Sequence, residues 1–310
     1  MKRSLIFLII FFFIISASTG VVAHEIGFGY QTSVVHVVGM VADHAGFFEE
    51  VGLEANTQVF SSGPLVSEAI GSGALEFGMM GDAPAIIAVA RDLPVKIIAS
   101  AGGGADRQRM MVRADSEMES IYDLEGKRLG IRMGTSAHGG FLSLAEVYDF
   151  DPYSVQMMDV NPPDMPDALA TNQVDAILVW ESTPTLIEDR GIGRELLTLR
   201  ESGNHFPVFL LANQRYLDRN PEVAPMVLEA LKLAVDFIEE YPEKTEQIVA
   251  EVTGLSPELA RKSMDYHYYD LELGAETLES LRQTSEYLLE EGLIPRLPDY
   301  ETEVDASLLE

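Results

Sequence analysis

The chain has 310 residues and a formal net charge of −29, from 50 acidic and 21 basic side chains. It contains no cysteine, which excludes disulfides, thiolate metal sites and a cysteine nucleophile. The acidic balance argues against binding to nucleic acid or to an anionic membrane, and it repels anionic ligands at long range. Any anion site must therefore be built from local hydrogen-bond donors.

The first 23 residues are predicted to form a secretory signal peptide. Lys2 and Arg3 precede an apolar run over 5–15, and small residues lead to Ala23, after which we expect cleavage. The alternative is an uncleaved anchor, because 4–23 is just long enough to cross a bilayer. In both cases we expect the rest of the chain to be exported, to the periplasm or to the outer face of the cytoplasmic membrane.

The next stretch alternates between strand and helix patterns. Short apolar runs predict strands over 25–30, 56–60, 75–80, 95–101 and 109–113. Helical spacing and start signals predict helices over 35–50, after 61–64, and over 83–91. This alternation predicts a mostly parallel sheet with helices on both faces, which is an α/β fold.

The same alternation restarts after a turn-rich segment over 121–127. Strands are predicted over 128–132, 155–160, 176–180, 195–199 and 206–212. Helices are predicted over 138–148, 163–171 and 185–189. We expect the chain to cross between two lobes near 113–116 and again near 203–207.

Two stretches, 68–84 and 167–184, repeat one pattern. Each has a helix end, a polar turn, an acidic residue before a buried strand, and a second acidic residue before a proline. The acidic pairs are Glu76 with Asp82 and Asp175 with Glu181. The repeat predicts two similar α/β lobes, and the crevice between such lobes commonly holds a small ligand.

Helical patterns dominate the last third of the chain. They cover 221–240, 242–252, 256–268 and 275–291, and we expect them to cap the first lobe. On this division the first lobe comprises 24–113 and 207–298, and the second comprises 114–206. The acidic tail over 299–310 is expected to fray.

Residues that follow the predicted strands are candidates for ligand binding, because ligands bind beyond the carboxyl ends of parallel strands. These candidates are mainly amides, hydroxyls and glycines, with one indole and two carboxylates: Gln31, Ser62, Gly63, Asp82, Ser136, His138, Trp180 and Glu181. Each also has a structural interpretation. The hydroxyls, the histidine and the carboxylates can cap helices, and the single tryptophan can belong to the core.

Other patterns with chemical meaning are weak. The glycines at 102–104 lack the lysine and hydroxyl of a phosphate-binding loop. For Arg107 and Arg109 the alternatives are contact with an anion and a solvated loop, and we expect the solvated loop. The six histidines show no metal-ligand spacing, and 134–138 lacks the closing glycine of a nucleophile elbow. We therefore expect no catalytic residue, no metal and no cofactor.

Several motifs, in this order and spacing, are similar to those of a known family. They are GYQ at 29–31, AGFFE at 45–49, SGP at 62–64, FGMMGDAP at 77–84, DLEGK at 123–127, GTSAH at 134–138 and VDAILVWE at 174–181. From about Phe28 to Pro298 the chain resembles the periplasmic solute-binding proteins of ABC importers for nitrate, sulfonates, taurine and thiamine-precursor pyrimidines. The resemblance implies a two-lobed type II periplasmic binding protein fold that closes on a ligand held by the eight candidates. It also implies delivery to an ABC permease and its ATPase, and we expect a monomer.

Two departures from the family pattern bear on the ligand. Met79 and Met80 stand where sulfonate binders often have small or hydroxylated residues, and Glu181 follows the tryptophan where Asp-Pro is common. Because methionine is apolar and adaptable, we expect a ligand with an organic part. Asp82 and Glu181 are then available to an amino or ring N–H group. The resemblance favours an organic sulfonate such as taurine or an alkanesulfonate, then a thiamine-precursor pyrimidine, then nitrate or bicarbonate.

Two functions of other kinds stay open at this point. One is an enzyme that acts on a pyrimidine-like molecule, although the resemblance to a yeast-like pyrimidine synthase implies a cysteine-rich segment that this chain lacks. The other is a sensor subunit that reports the ligand to a membrane receptor.

Overall fold

The computed structural model describes residues 24–309, so the expected signal segment over 1–23 lies outside the described residues. Within that range the chain forms ten strands: β1 (His24–Gln31), β2 (Leu53–Phe60), β3 (Phe77–Gly81), β4 (Val95–Ser100), β5 (Gln108–Arg113), β6 (Arg128–Ile131), β7 (Gln156–Asp159), β8 (Ala176–Trp180), β9 (Gly193–Thr198) and β10 (Val208–Asn213).

The same range contains twelve α-helices: α1 (Val37–His44), α2 (Phe47–Glu50), α3 (Gly63–Ser72), α4 (Asp82–Ala90), α5 (Ser136–Val147), α6 (Met165–Ala170), α7 (Thr183–Asp189), α8 (Gln214–Leu217), α9 (Val223–Glu240), α10 (Pro242–Thr253), α11 (Pro257–Met264) and α12 (Ala275–Glu290). The single helix expected over 35–50 is instead two helices. Gly46 breaks it, because its backbone adopts a left-handed conformation with φ of 80°.

The strands form two five-stranded sheets of the same design. The orders are β2-β1-β3-β10-β4 and β7-β6-β8-β5-β9. In each sheet only the fourth strand, β10 or β5, is antiparallel to its neighbours. The expected pair of mostly parallel α/β lobes is therefore present, and the two repeated stretches supply the central strands β3 and β8.

The repeated acidic residues before those strands have a shared structural role. The carboxylate of Glu76 accepts a hydrogen bond from the backbone N–H of Gly27 on β1 at 2.6 Å. The carboxylate of Asp175 accepts one from the backbone N–H of Arg128 on β6 at 2.9 Å. Each acidic residue thus ties its central strand to the neighbouring parallel strand at the same edge of the sheet.

The crossing between lobes comes earlier than expected. Strand β5 pairs with β8 and β9 in the second sheet, so 108–113 belongs to the second lobe, not to the first. The chain crosses between Ser100 and Gln108, and it returns between Thr198 and Val208. An apolar strand pattern identifies a strand but not the sheet that it joins, which is why the sequence misplaced this boundary.

The glycines at 102–104 form the first crossing, where the backbone packs tightly. Gly103 exchanges backbone hydrogen bonds with Tyr268 at 3.0 and 2.9 Å, and Gly104 N–H donates to the carbonyl of His205 on the second crossing at 2.8 Å. A side chain at Gly102 would collide with the carbonyl of Tyr268, and the φ of Gly102 is 103°. These glycines permit the close approach of three chain segments at the hinge.

The C-terminal helices cover the first lobe, and the last residues are packed. Helix α9 lies against α1 and α2 and buries Val227, Leu231 and Ala234 along one face. The tail was expected to fray, but Val304 pairs with Ile97 on the edge strand β4, and two backbone hydrogen bonds of 2.9 and 3.0 Å flank that pair. Pairing satisfies the open edge of the sheet, which explains the order of this segment.

Candidate functional site

A narrow cavity lies between the lobes, where the carboxyl ends of the parallel strands meet. Its volume is about 20 Å³, which is room for roughly one water molecule. The first lobe contributes Gln31, Val35, His36, Gly63, Gly81 and Pro84. The crossing segment and the second lobe contribute Arg107, Gln108, Thr135, Ser136 and Trp180.

Three helices begin at this cavity. Gly63 is the first residue of α3, Gly81 precedes α4, and Ser136 is the first residue of α5. The first-turn N–H groups of a helix have no partner within the helix, and the helix dipole is positive there. Helices from both lobes therefore direct positive potential and hydrogen-bond donors toward the cavity, which favours an anion.

Arg107 adds a full positive charge to this wall. It is 2% exposed, its Nε–H donates to the backbone carbonyl of Phe206 at 2.9 Å, and its Nη2 has no hydrogen-bond partner. Within residues 24–309 no carboxylate lies within ion-pair distance of it. Burial lowers the pKa of Arg107 to about 10, so the guanidinium stays protonated at neutral pH.

Two further buried polar side chains lack partners within the described residues, one lining the cavity and one next to a lining residue. Gln108 is fully buried, and neither its amide nitrogen nor its amide oxygen makes a hydrogen bond within the described chain. Ser62 precedes α3, where its Oγ is buried and also has no partner. Buried polar groups are normally satisfied, so a cluster of unsatisfied ones marks a place where a polar ligand or water completes the structure.

His36 forms part of one wall of the cavity, and its imidazole ring is neutral. Burial and the charge of Arg107 lower the pKa of His36 to about 3. Its Nε2 lies 3.2 Å from Nε2 of Gln31, and a neutral ring accepts that amide N–H. The amide of Gln31 is thereby fixed at the boundary of the cavity.

Arg109, two residues after Arg107, has the opposite environment. Its guanidinium contacts three carboxylates, of Glu181 at 2.6 Å, Glu188 at 2.6 Å and Glu195 at 2.5 Å. Burial alone acts to lower the pKa of Arg109, but the hydrogen bonds and charges of these carboxylates raise it overall. Arg109 is thus a structural cation within the second lobe.

The structure brings four of the eight predicted site residues to the cavity. Those four are Gln31, Gly63, Ser136 and Trp180, and Ser62 is buried directly beside Gly63. The other three side chains make protein contacts of their own. Asp82 accepts hydrogen bonds from Asn204 at 2.8 Å and from Thr284 at 3.3 Å, and its Oδ1 has no partner.

His138 and Glu181 do not line the cavity. His138 Nδ1 accepts the backbone N–H of Gly134 at 3.3 Å, and burial lowers the pKa of His138. Glu181 is fully buried, pairs with Arg109, and accepts the N–H of Thr185 at 3.3 Å at the start of α7. Its carboxylate has a structural role at the end of β8, as the alternative interpretation allowed.

Sequence reasoning missed Gln108, and for Arg107 it favoured a solvated loop over contact with an anion. Both arginines of this segment were expected in a solvated loop, and that expectation is wrong, because Arg107 and Arg109 are each 2% exposed. Strand β5 is antiparallel, so its beginning lies at the edge where the parallel strands end, and Gln108 pairs with Trp180, the last residue of β8. A search that included residues before an antiparallel strand would have found both side chains.

The two lobes are in contact around the cavity. Ser33 Oγ–H donates to the backbone carbonyl of Glu181 across the crevice. Lys262 on α11 pairs with Glu188 on α7 at 3.1 Å, and on the other flank Tyr153 donates to Glu291. These contacts describe a closed arrangement.

A wider cleft of about 430 Å³ adjoins the cavity and shares Gln31 and Trp180 with it. Apolar side chains from both lobes line part of it, including Val59, Pro162 and Leu186. Gln31 and Trp180 therefore lie between the inner cavity, which contains Arg107, and the partly apolar outer cleft.

Over 24–309, no group of three histidine or acidic side chains is arranged to hold a metal ion. In the same range, no helix has both the length and the apolar character needed to cross a membrane.

A family model described as NMT1/THI5 like matches residues 33–245, which is more than half of the chain. The chain belongs to the NMT1/THI5-like family. Among solved structures, this NMT1/THI5-like protein is similar to the alkanesulfonate-binding protein SsuA from Xanthomonas axonopodis pv. citri bound to MOPS. The TM-score is 0.83 at 21% identity, covering 91% of this chain and 98% of that one. The likeness confirms the expected two-lobed periplasmic binding protein fold.

Curated relatives of the NMT1/THI5-like chain match it over about two thirds of its length. A Brucella abortus (strain 2308) protein named as a binding protein is 28% identical over 214 residues, covering 68% of this chain and 65% of the relative. The taurine-binding periplasmic protein of Escherichia coli (strain K12) is 24% identical over 216 residues, with the same two coverages. The chain thus spans 65% of the length of these relatives.

Proposed function

We propose that this protein is the extracytoplasmic substrate-binding component of an ABC importer, and that it captures a small organic anion of the sulfonate or taurine class between its lobes. The names of its relatives support this class, since they include a taurine-binding periplasmic protein and an alkanesulfonate-binding protein. The bound form would be delivered to a membrane permease with its ATPase. The protein acts as an exported monomer in this proposal.

One observation supports the assignment to an anion: the buried Arg107 guanidinium lines the cavity, and within residues 24–309 no carboxylate lies within ion-pair distance of it, although the charge of Asp82 acts on it from farther away. A buried charge is costly unless it is paired and hydrogen-bonded. A sulfonate supplies both the counter-charge and the hydrogen-bond acceptors, and the helix N-termini at Gly63 and Ser136 offer further donors. Ligand binding then reduces the free-energy cost of the buried Arg107 charge in the unliganded protein.

The proposed mechanism is closure of the two lobes about a hinge, which the two crossing segments form. The ligand contacts Arg107 and Ser136 on one side of the crevice and Gly63 on the other, so it favours the closed state by its differential contacts. The cavity of about 20 Å³ is narrower than an organic sulfonate. The lobes must therefore move apart at 101–107 and 199–207 to admit the ligand, and they close around it less tightly than in the present arrangement.

The outer cleft favours an organic part on the ligand over bare nitrate or bicarbonate. Trp180 belongs to both the cavity and the cleft, and its indole can cover a short carbon chain that leaves the charged group. A neutral thiamine-precursor pyrimidine would leave Arg107 without a counter-charge in direct contact, since Asp82 acts on it only from beyond ion-pair distance, and this ranks the pyrimidine below a sulfonate. We propose binding without turnover, since the histidine at the cavity, His36, has a pKa lowered by burial to about 3, which makes it a weak base, and its Nε2 already contacts Gln31.

Calorimetric titration tests this function. The protein is first unfolded and refolded to remove any retained ligand, and then titrated with ethanesulfonate, taurine, nitrate and a thiamine-precursor pyrimidine. Ethanesulfonamide serves as the neutral counterpart of ethanesulfonate. We expect one tight site for at least one sulfonate and none for the sulfonamide. Tighter binding of the pyrimidine or of the neutral sulfonamide would refute the assignment.

A further inference from the structure

We propose that Gln108 makes this site selective for anions that also carry a hydrogen-bond donor, such as hydroxy- or amino-substituted short sulfonates. The inference rests on the proposed function and adds a specificity-determining residue to it. Gln108 lines the inner cavity next to Arg107, and it is fully buried at the first position of β5.

The position of Gln108 is fixed by its backbone. Its carbonyl accepts the N–H of Leu199 at 3.0 Å, and its register partner on β8 is Trp180. Gln108 is also fully buried, so its side-chain amide does not reach solvent. Within the described residues, both its Nε2 and its Oε1 lack a partner.

The amide needs two different partners. Whichever way round it stands, it presents one donor group and one acceptor oxygen. The anionic group of a ligand can accept from the amide N–H and from Arg107, because a sulfonate has three acceptor oxygens. The same group cannot satisfy the amide oxygen, which requires a donor.

Within the described residues, no neighbouring side chain donates a hydrogen bond to the amide oxygen of Gln108. Gln31 already directs its amide nitrogen to His36 at 3.2 Å, and the hydroxyl of Thr135 donates to the carbonyl of Arg132 at 2.7 Å. A plain alkanesulfonate would thus leave the oxygen of Gln108 buried and unpaired. Sites with buried polar groups discriminate strongly against analogues that lack the matching group.

The carboxylates of Asp82 and Glu181, which the sequence made available to an amino group, bind other groups of the protein. Glu181 pairs with Arg109, and one oxygen of Asp82 accepts from Asn204 and Thr284. Neither side chain lines the cavity. Among the cavity-lining side chains of the described residues, the buried side-chain oxygen without a partner is that of Gln108.

Three sulfonates test the inference on the unmodified protein by calorimetric titration. Isethionate carries a hydroxyl, ethanesulfonate lacks it, and 2-methoxyethanesulfonate has an ether oxygen without a donor. We expect isethionate to bind about tenfold tighter or more than each of the other two. Equal affinities for all three would overturn the inference while leaving the proposed function intact. Failure of every sulfonate to bind would instead refute the proposed function.

A pair of variants locates the effect. Gln108→Met keeps the volume but removes both polar atoms, so we expect the preference for isethionate over ethanesulfonate to fall to about one. Gln31→Met changes a glutamine of the same cavity whose amide already contacts His36, and the preference should survive there even if both affinities fall. A preference that persists in Gln108→Met would show that another group contacts the donor, and the inference would be wrong.

Discussion

Replacing Arg107 with methionine should leave the protein at least as stable while removing most of its affinity for sulfonates. Burial lowers the pKa of Arg107 from its usual range to about 10, a difference that corresponds to about 3 kcal/mol of cost for holding the charge. Methionine removes that cost, but it leaves the carbonyl of Phe206 without its donor, which costs about 1–3 kcal/mol. The net change in the free energy of unfolding should lie between about 0 and 2 kcal/mol in favour of the variant.

Arg109→Met is the matched control, because the two arginines lie two positions apart and are equally buried. Arg109 pairs with Glu181, which is fully buried and would be left with an uncompensated charge. Breaking a buried ion pair in this way costs about 3–5 kcal/mol. The control variant should therefore be clearly destabilised, in contrast to Arg107→Met.

Urea unfolding monitored by circular dichroism gives both stabilities. Titration with ethanesulfonate gives the affinities, and Trp180, the only tryptophan, lines the cavity and provides a fluorescence signal for the ligand. We expect Arg107→Met to weaken binding by about 30-fold or more, from the loss of a charge-assisted hydrogen bond worth roughly 2–3 kcal/mol. Wild-type affinity in Arg107→Met, or a loss of stability as large as that of Arg109→Met, would refute the reasoning.

Three further predictions concern pH, closure and charge. Burial lowers the pKa values of His36 and His267 to about 3. Below pH 6.5 these histidines are therefore protonated in the unfolded state but stay neutral in the folded state. Each histidine should reduce the free energy of unfolding by about 2 kcal/mol at pH 5. Urea unfolding at several pH values should show a shallower decline for His267→Gln, and an unchanged slope would contradict this. The pair of Lys262 with Glu188 joins the lobes and is partly exposed, so Lys262→Met should weaken ligand affinity only about twofold to fivefold; unchanged affinity in a low-salt titration would argue against a role in closure. Because the chain carries a net charge of −29, raising NaCl from about 10 mM to about 0.3 M should speed sulfonate association in stopped-flow fluorescence, since salt screens the repulsion; a slower rate would indicate attraction by a local field.

The sequence predicted the architecture well because the two repeated stretches encode the same local geometry. The acidic residues Glu76 and Asp175 each bind a backbone N–H of the adjacent strand. Patterns of this kind depend on neighbours in the chain, so they are visible in a single sequence. The same local rule, that ligand groups follow parallel strands, led to Gln31, Gly63, Ser136 and Trp180.

The residues that sequence reasoning misplaced depend on long-range pairing. Glu181 looks like a free carboxylate at a strand end until Arg109 on the adjacent strand β5 is seen to bind it. Arg107 and Gln108 precede an antiparallel strand, whose start reaches the ligand edge only through the order of strands in the second sheet. Neither fact can be derived from spacing along the chain.

A crystal structure of the protein grown with isethionate tests the central claim most directly. We predict that a sulfonate oxygen accepts a hydrogen bond from Nη2 of Arg107 in the crevice between the lobes, with the ligand hydroxyl directed to the amide oxygen of Gln108. A structure with the sulfonate outside that crevice, or with Arg107 paired to a carboxylate of the protein, would contradict it.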